Sequence, residues 1–310
     1  MASDRQPLAP IGSIPLQALF MPYESLDIYA MSADPDTNTL FLTYELSLAN
    51  NGSVKMGVRE ILLSASNYGA RDAFNGGSLT RVWGVQFVRY TQTLLINITG
   101  GDDGGNWLLA LSRVGDEWSE KHRVSSFQLG GLVHFAELTD GHVIYASIVS
   151  GPSVSKNLIQ VLRVSREQER VRINPLQRVK FDGRFGGFDA RVDGHDVLMA
   201  LLSTDKSRVR LYRLRNYMHL DEPVLNISLA NTIGIMWFGH RLLARRSNDA
   251  ANTNANANSS YSVVELKRPG VGVELGATLL EGMNVEDWCD TGGRIAIFDK
   301  NTMYIRVFHA

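Results

Sequence analysis

Three groups of side chains in this 310-residue chain have the types that binding chemistry uses. Asp102 and Asp103 sit between the glycine pairs Gly100-Gly101 and Gly104-Gly105. A flexible backbone there lets adjacent carboxylates converge on a hard cation such as Ca²⁺. One acidic pair supplies too few ligands for a site, so a polar hairpin tip is the plainer expectation. Asp182, Arg184, Asp189 and Arg191 surround Gly183, Gly186 and Gly187. Opposite charges so close either orient a polar ligand or bridge neighbouring elements, and the bridging role is expected. Glu286, Asp287 and Asp290 flank Trp288 and Cys289. A tryptophan beside carboxylates can grip a sugar or a peptide cation; a tryptophan opening a repeat more often packs in a core.

Catalytic constellations are scarce. The seven histidines (122, 134, 142, 195, 219, 240 and 309) show no His-x-x-x-His spacing. There is no Gly-x-Ser-x-Gly nucleophile elbow, no P-loop and no dinucleotide fingerprint. The lone Cys289 is expected to be a buried, inert thiol. No catalytic residue, metal or cofactor is therefore expected, and an enzyme is less expected than a binding protein. The formal net charge of -1 provides no global field toward nucleic acid or an anionic membrane. No apolar run approaches the roughly 18 residues of a membrane span, and residues 1–15 do not read as a secretory signal. One cysteine excludes an internal disulfide and points to a reducing, intracellular compartment, cytoplasmic or nuclear. The chain is expected to be monomeric on its own.

Any site must be positioned by strands, because helical periodicity is weak throughout. Apolar runs of about four to seven residues, rich in Val, Ile, Leu, Tyr and Phe, are punctuated by Gly, Asp, Asn and Ser. One kind of run follows a tight turn. It opens at Thr39, Thr93, His142, Asp196, Arg241 and Arg294. With Leu40, Leu94, Val143, Val197, Leu242 and Ile295 taken as equivalent, the steps are about 54, 49, 54, 45 and 53 residues. The preceding turns also match: Asp140-Gly141, Gly194-His195, Gly239-His240 and Gly292-Gly293 fill one slot. Glycine supplies the positive φ of a two-residue hairpin, so these turns join a first strand to a second. A third strand recurs as Leu108–Arg113, Leu158–Arg163, Val209–Arg213, Val263–Lys267 and Tyr304–His309.

The chain ends directly after the third strand of its last unit. Pro15–Phe20 lies ahead of the first unit as Pro175–Phe181 lies ahead of the fourth, and both carry Pro-Leu-Gln. The N-terminal strand is therefore expected to complete the last unit. Residues 1–13 are expected to be a flexible segment, and 14–310 one domain with a low-complexity loop at 247–260.

This periodicity resembles the β-propeller superfamily from about Pro15 to Ala310. It lacks the Trp-Asp ending of WD40 strands, the paired glycines of kelch repeats and the sialidase Ser-x-Asp-x-Gly box. The expected fold is all-β, a six-bladed propeller with seven blades possible. The resemblance implies that loops from fourth to next first strand, and from second to third, share one functional face. Asp102, Asp103, Asp182, Arg184, Asp189, Glu286, Asp287 and Trp288 fall on that face. The backbone repeat is clear, and no polar residue recurs at equivalent blade positions. That asymmetry favours a non-catalytic scaffold holding a protein or peptide. The alternative is a carbohydrate binder or metal-dependent hydrolase with its site at the central channel.

Overall fold

The computed structural model describes residues 12–310 except 21–22, 49–52, 64–68, 101–103, 126–132, 148–157, 180, 182–183, 218, 222, 230, 239–240, 248–258, 267–271, 280–282, 284, 292–293 and 310. All its regular elements are strands apart from one 3₁₀ turn at Leu16–Ala18. In chain order, β1 (Gly12–Pro15) stands alone ahead of four strands, β2 (Ser25–Asp34), β3 (Thr39–Ser47), β4 (Val54–Leu62) and β5 (Ala70–Gly77). A second set follows as β6 (Thr80–Val88), β7 (Thr93–Gly100), β8 (Gly105–Val114) and β9 (Glu117–Ser125). A third comprises β10 (Val133–Glu137), β11 (His142–Ser147), β12 (Leu158–Glu167) and β13 (Arg170–Val179). The fourth holds five strands, β14 (Gly187–Asp193), β15 (Asp196–Leu202), β16 (Arg208–Arg215), β17 (His219–Leu220) and β18 (Leu225–Ser228). The fifth is β19 (Thr232–Phe238), β20 (Arg241–Ser247), β21 (Ser259–Leu266) and β22 (Gly272–Leu279). The last is β23 (Val285–Asp290), β24 (Arg294–Asp299) and β25 (Tyr304–His309).

Each set forms an antiparallel meander, strand pairing with next strand. Two units divide them: Leu16–Gly183 holds the first three sheets, and Met1–Pro15 with Arg184–Ala310 holds the other three. Five sheets are four-stranded, where the period led to six regular blades. The exception is the fourth, whose outer strand is broken in two. β17 pairs Leu214 and Arg215, while β18 pairs Arg208–Leu211. Positive φ at Asn216 and Tyr217 turns the chain tightly after β16. Pro223, which has no N–H to donate, then falls between the two halves.

β1 completes the last sheet, pairing Gly12–Pro15 with Val307–Tyr304. The strand ends at Pro15 instead of starting there: Leu16–Ala18 is already a 3₁₀ turn, with Leu16 fully buried. The second copy of Pro-Leu-Gln lies inside β13, where the register slips opposite Val161 and Leu162. Proline is tolerated there because β13 is an outer strand with one unpaired edge.

The core lies between neighbouring sheets. In the unit Leu16–Gly183, Phe41 and Val58 of the first sheet pack on Val85, Phe87, Ile96 and Leu109 of the second. Leu95 and Ala110 in turn meet Val143, Leu162 and Ile173 of the third. In the other unit, Leu198 and Leu211 meet Trp237 and Leu242, and Met236 and Leu243 meet Ile295 and Ile297. Second strands are covered on both faces and so read as unbroken apolar runs; β3, β7 and β15 are buried along nearly their whole length. The turns into them vary. Asp140 and Gly141 both take positive φ, 55° and 75°, the signature of a type I′ hairpin. Gly141 has a second constraint, since a Cβ there would stand 2.3 Å from the Val164 carbonyl oxygen.

Candidate functional site

In the unit Leu16–Gly183 the chemistry gathers at the edge where first strands turn into second strands and third into fourth. Glu60 on β4 is the centre. Its side chain is 6% exposed and lies beside Arg71, directly opposite on β5. Arg71 Nε donates to Glu60 Oε2 at 2.7 Å, and Trp118 Nε1 donates to the same oxygen at 2.9 Å. Arg113 donates to the other oxygen. Arg113 and Trp118 face each other across β8 and β9, and the guanidinium lies 5.2 Å from the indole ring centre. One buried carboxylate thus ties the first sheet to the second and holds two guanidiniums, leaving one positive charge in excess within this trio.

Beside this cluster is a cavity of about 90 Å³. Its apolar lining is Phe41, Phe87 and Trp118, and its polar lining includes Arg113, Arg166 and Asp34. Phe41 stacks on Phe87 at 5.4 Å and meets the edge of Trp118 at 5.6 Å, so the aromatic wall is rigid. Asp34 is 3% exposed and accepts from the Thr37 hydroxyl at 2.6 Å and the Asp36 amide at 3.1 Å. Arg166 is exposed, donates to the carbonyls of Thr91 and Gln168, and has no carboxylate partner among the described residues. Tyr90, on the β6–β7 turn that also carries the lining residue Gln92, is 65% exposed, and Val114, next in sequence to Arg113, is 53% exposed. Glu137 braces this turn by accepting the Arg89 amide at 2.6 Å, and burial raises its pKa to about 7.

In the other unit the first strands carry the polar groups. Asp189 on β14 accepts from its neighbour Ala190 N at 2.7 Å and from Trp237 N on β19 at 2.6 Å. First strands pair on one side only, so the Trp237 amide belongs to an edge that needs an outside acceptor. Burial pushes the Asp189 carboxyl up to about 7, against the pull of those two amides. Arg191, two residues on, places its guanidinium 4.6 Å from the Trp237 ring centre. The mixed-charge cluster thus joins neighbouring sheets through a hydrogen bond and a cation–π contact.

Register brings out a recurrence hidden in the sequence. Four first strands carry a one-residue bulge, at Tyr29, Trp83, Ile233 and Glu286. Each bulge is followed by the residue lying opposite the third position past the repeat marker: Ala30, Gly84, Gly234 and Asp287. The strands without a bulge place His134 and Asp189 at that position. Asp189 and Asp287 are therefore equivalent, an acidic recurrence where none was expected. The extra residue Glu286 displaces the spacing by one and conceals it. Burial lowers the pKa of His134 to about 4, so the imidazole is neutral in the folded protein near pH 7.

The other expected residues are dispersed. Asp102, Asp103 and Asp182 lie outside the described residues, as does most of the tract at 247–260. Arg184 is exposed just ahead of β14. Glu286 is on β23, while Asp287 is half-buried one position further. Trp288 packs against the cluster that includes Met236, Val285 and Ile297. No group of three or more metal-ligating side chains occurs among the described residues. The cavity and Glu60 were missed because the lining comes from six strands and two turns, and Glu60 lies on a seventh strand. The only local signals were Arg113 at a strand end and Trp118 on an outer strand.

Cys289 is buried, and burial together with Asp287 and Asp290 raises its thiol pKa well above the ordinary value. A thiolate is the reactive form. The native protein is therefore expected to react with a thiol reagent at pH 8 at least ~100-fold more slowly than the unfolded chain. Equal rates would show Cys289 to be accessible.

No protein-family model matches the chain, and no curated protein matches it. Solved structures do. A chain of the "Mitotic Checkpoint Complex" aligns with 100% of this chain and 97% of its own length, with a TM-score of 0.59 at 7% identity. The N10 neuraminidase-like protein of A/little yellow-shouldered bat/Guatemala/060/2010 covers 97% and 100%, with a TM-score of 0.55 at 11% identity. The Dos1 propeller covers 97% and 95%, with a TM-score of 0.50 at 8% identity. At such identities the likeness is one of fold, and with the repeated meanders it defines the class: this chain is a β-propeller. No helix among the described residues is long and apolar enough to cross a membrane.

Proposed function

We propose that this chain is a non-catalytic interaction scaffold that holds a protein or peptide partner on a loop-bearing edge of its blades. The observation that carries this reading is the occurrence of exposed apolar side chains at one edge of adjacent sheets. Tyr90 lies on the β6–β7 turn, Val114 ends β8, and Leu62, 42% exposed, ends β4. Arg71 reaches from β5 to the Asp116 carbonyl in the β8–β9 turn, which brings these ends together. Exposed apolar groups rimmed by charge are the usual mark of a protein-binding surface. The occurrence of a similarly folded chain in the Mitotic Checkpoint Complex accords with that use of the fold.

Affinity capture from cell extract tests it, with Tyr90→Ser/Val114→Ser as the comparison. Both positions are exposed, so stability should stay within about 0.5 kcal/mol of wild type. A partner retained by wild type and lost by the double variant is expected. Retention by both would exclude this edge. Arg184→Ala and Asp287→Asn put the unit Arg184–Ala310 to the same test.

The equivalence of Asp189 and Asp287 favours a second reading, a small polar ligand bound along the first strands of the unit Arg184–Ala310. A thermal-shift screen with Ca²⁺, chelator and sugars addresses it. A ligand at about 100 times its Kd stabilises the fold by roughly 2.7 kcal/mol, and a flat panel would remove it.

A further inference from the structure

We infer that the cavity beside Glu60 is a receptor for the C-terminal residue of a partner peptide, a carboxylate attached to an apolar side chain. This rests on the scaffold reading and names the part of the partner that would be gripped. Three features of the cavity need a ligand with three matching features. Arg113 and Arg166 supply guanidinium donors from two sheets, and guanidinium is the natural counterpart of a carboxylate. Arg113 pairs with Glu60 and Arg71 with Glu60 and Asp116, whereas Arg166 has no carboxylate partner among the described residues, so its guanidinium is the one left for a ligand's carboxylate. Phe41, Phe87 and Trp118 give an apolar wall.

The remaining feature selects a C-terminus over an acidic side chain. Asp34 lines the same cavity, and each of its oxygens accepts one hydrogen bond, from Thr37 or from Asp36. A carboxylate oxygen has a second lone pair, so Asp34 can accept one donor more. An Asp or Glu side chain has only oxygens at its end and would meet Asp34 with repulsion. The last residue of a peptide carries an N–H two bonds from its carboxyl carbon, so donor and acceptor come together. The volume, about 90 Å³, is far below the 300 Å³ at which drug-sized sites begin and suits one residue. Exposed Tyr90 and Val114 would then flank the residues that precede it.

The indole N–H of Trp118 is a reporter at the cavity wall, distinguishable among five tryptophans by the Trp118→Phe variant. The probe is the capped tripeptide acetyl-Gly-Gly-Leu, titrated into ¹⁵N-tryptophan-labelled protein beside its C-terminal amide and free leucine. The expected result is a saturable Trp118 shift with the carboxylate peptide and at least ~10-fold weaker binding of the amide, the loss of a charge-assisted hydrogen bond. Arg166→Gln, which removes no ion pair, should weaken the peptide by a similar factor while leaving the free protein's Trp118 signal in place. Equal binding of acid and amide, or no shift with either, would overturn the inference. Tighter binding of free leucine than of the peptide would also overturn it, because the occupant would then be an amino acid. A captured partner that Arg166→Gln still retains would remove this pocket and leave the scaffold reading standing.

Discussion

Replacing Glu60 by Ala should lower the unfolding free energy by about 2–4 kcal/mol, among the larger effects available outside the apolar core. The carboxylate accepts from two arginines and an indole on three other strands, and its side chain is 6% exposed. Its removal leaves the Trp118 N–H and the Arg113 guanidinium without this acceptor, while Arg71 keeps the Asp116 carbonyl. Breaking a fully buried ion pair costs about 3–5 kcal/mol. Here Arg71 and Arg113 are 39% and 40% exposed and can regain water, which places the expectation below that range. Glu60→Gln should recover only part of the loss, because its amide nitrogen faces donors on one side. Urea unfolding read by tryptophan fluorescence provides the measurement. A midpoint within about 0.5 kcal/mol of wild type would mean that the cluster is ornamental to stability. A double-mutant cycle with Arg113→Gln separates the pair from the rest: strong coupling is expected between these two and little between Glu60 and Arg59, which pairs instead with Asp72.

What the sequence made legible, and what it hid, follows from burial. All six second strands open at the residues expected, Thr39, Thr93, His142, Asp196, Arg241 and Arg294. These strands are sandwiched between sheets, so the positions after the first are mostly apolar and the run is conspicuous. Outer strands have no such constraint. β9 has no buried residue, and β5 has one, Ala73, with its register slipping twice against β4. Their patterns are faint for that reason, and the sequence from Ser66 to Leu79 is only loosely patterned. The N-terminal strand was placed a few residues late, since Pro-Leu-Gln continues a strand in β13 and ends one at Pro15. Bulges hid the equivalence of Asp189 and Asp287, because one inserted residue breaks any count by spacing. The Glu60 cluster joins residues up to 58 positions apart and leaves no local trace.

Asp189→Asn should gain stability relative to wild type as pH rises from 5 to 8, by about 2–3 kcal/mol. Burial raises the folded-state pKa of Asp189 from 3.8 to about 7. Between those values the folded protein holds a proton that the unfolded chain has released. Wild-type stability from this group is therefore greatest below about pH 4, falls as pH rises, and levels off above about 7. Asparagine does not titrate, and its side-chain oxygen can still accept the Trp237 amide, so the variant lacks that decline. The wild-type curve alone cannot show this. Glu137 contributes a fall in the same direction, from 4.5 to about 7, whereas His134 opposes both. With its pKa lowered from 6.5 to about 4, His134 contributes stability that is present above pH 6.5 and lost as pH falls. Subtracting the variant's curve from that of wild type cancels both groups and isolates Asp189. Parallel curves would mean that the carboxylate is hydrated in the folded protein. Asp189→Ala serves as the control. It removes the acceptor of the Trp237 amide at every pH, so it should destabilise at pH 5, where Asp189→Asn is close to neutral.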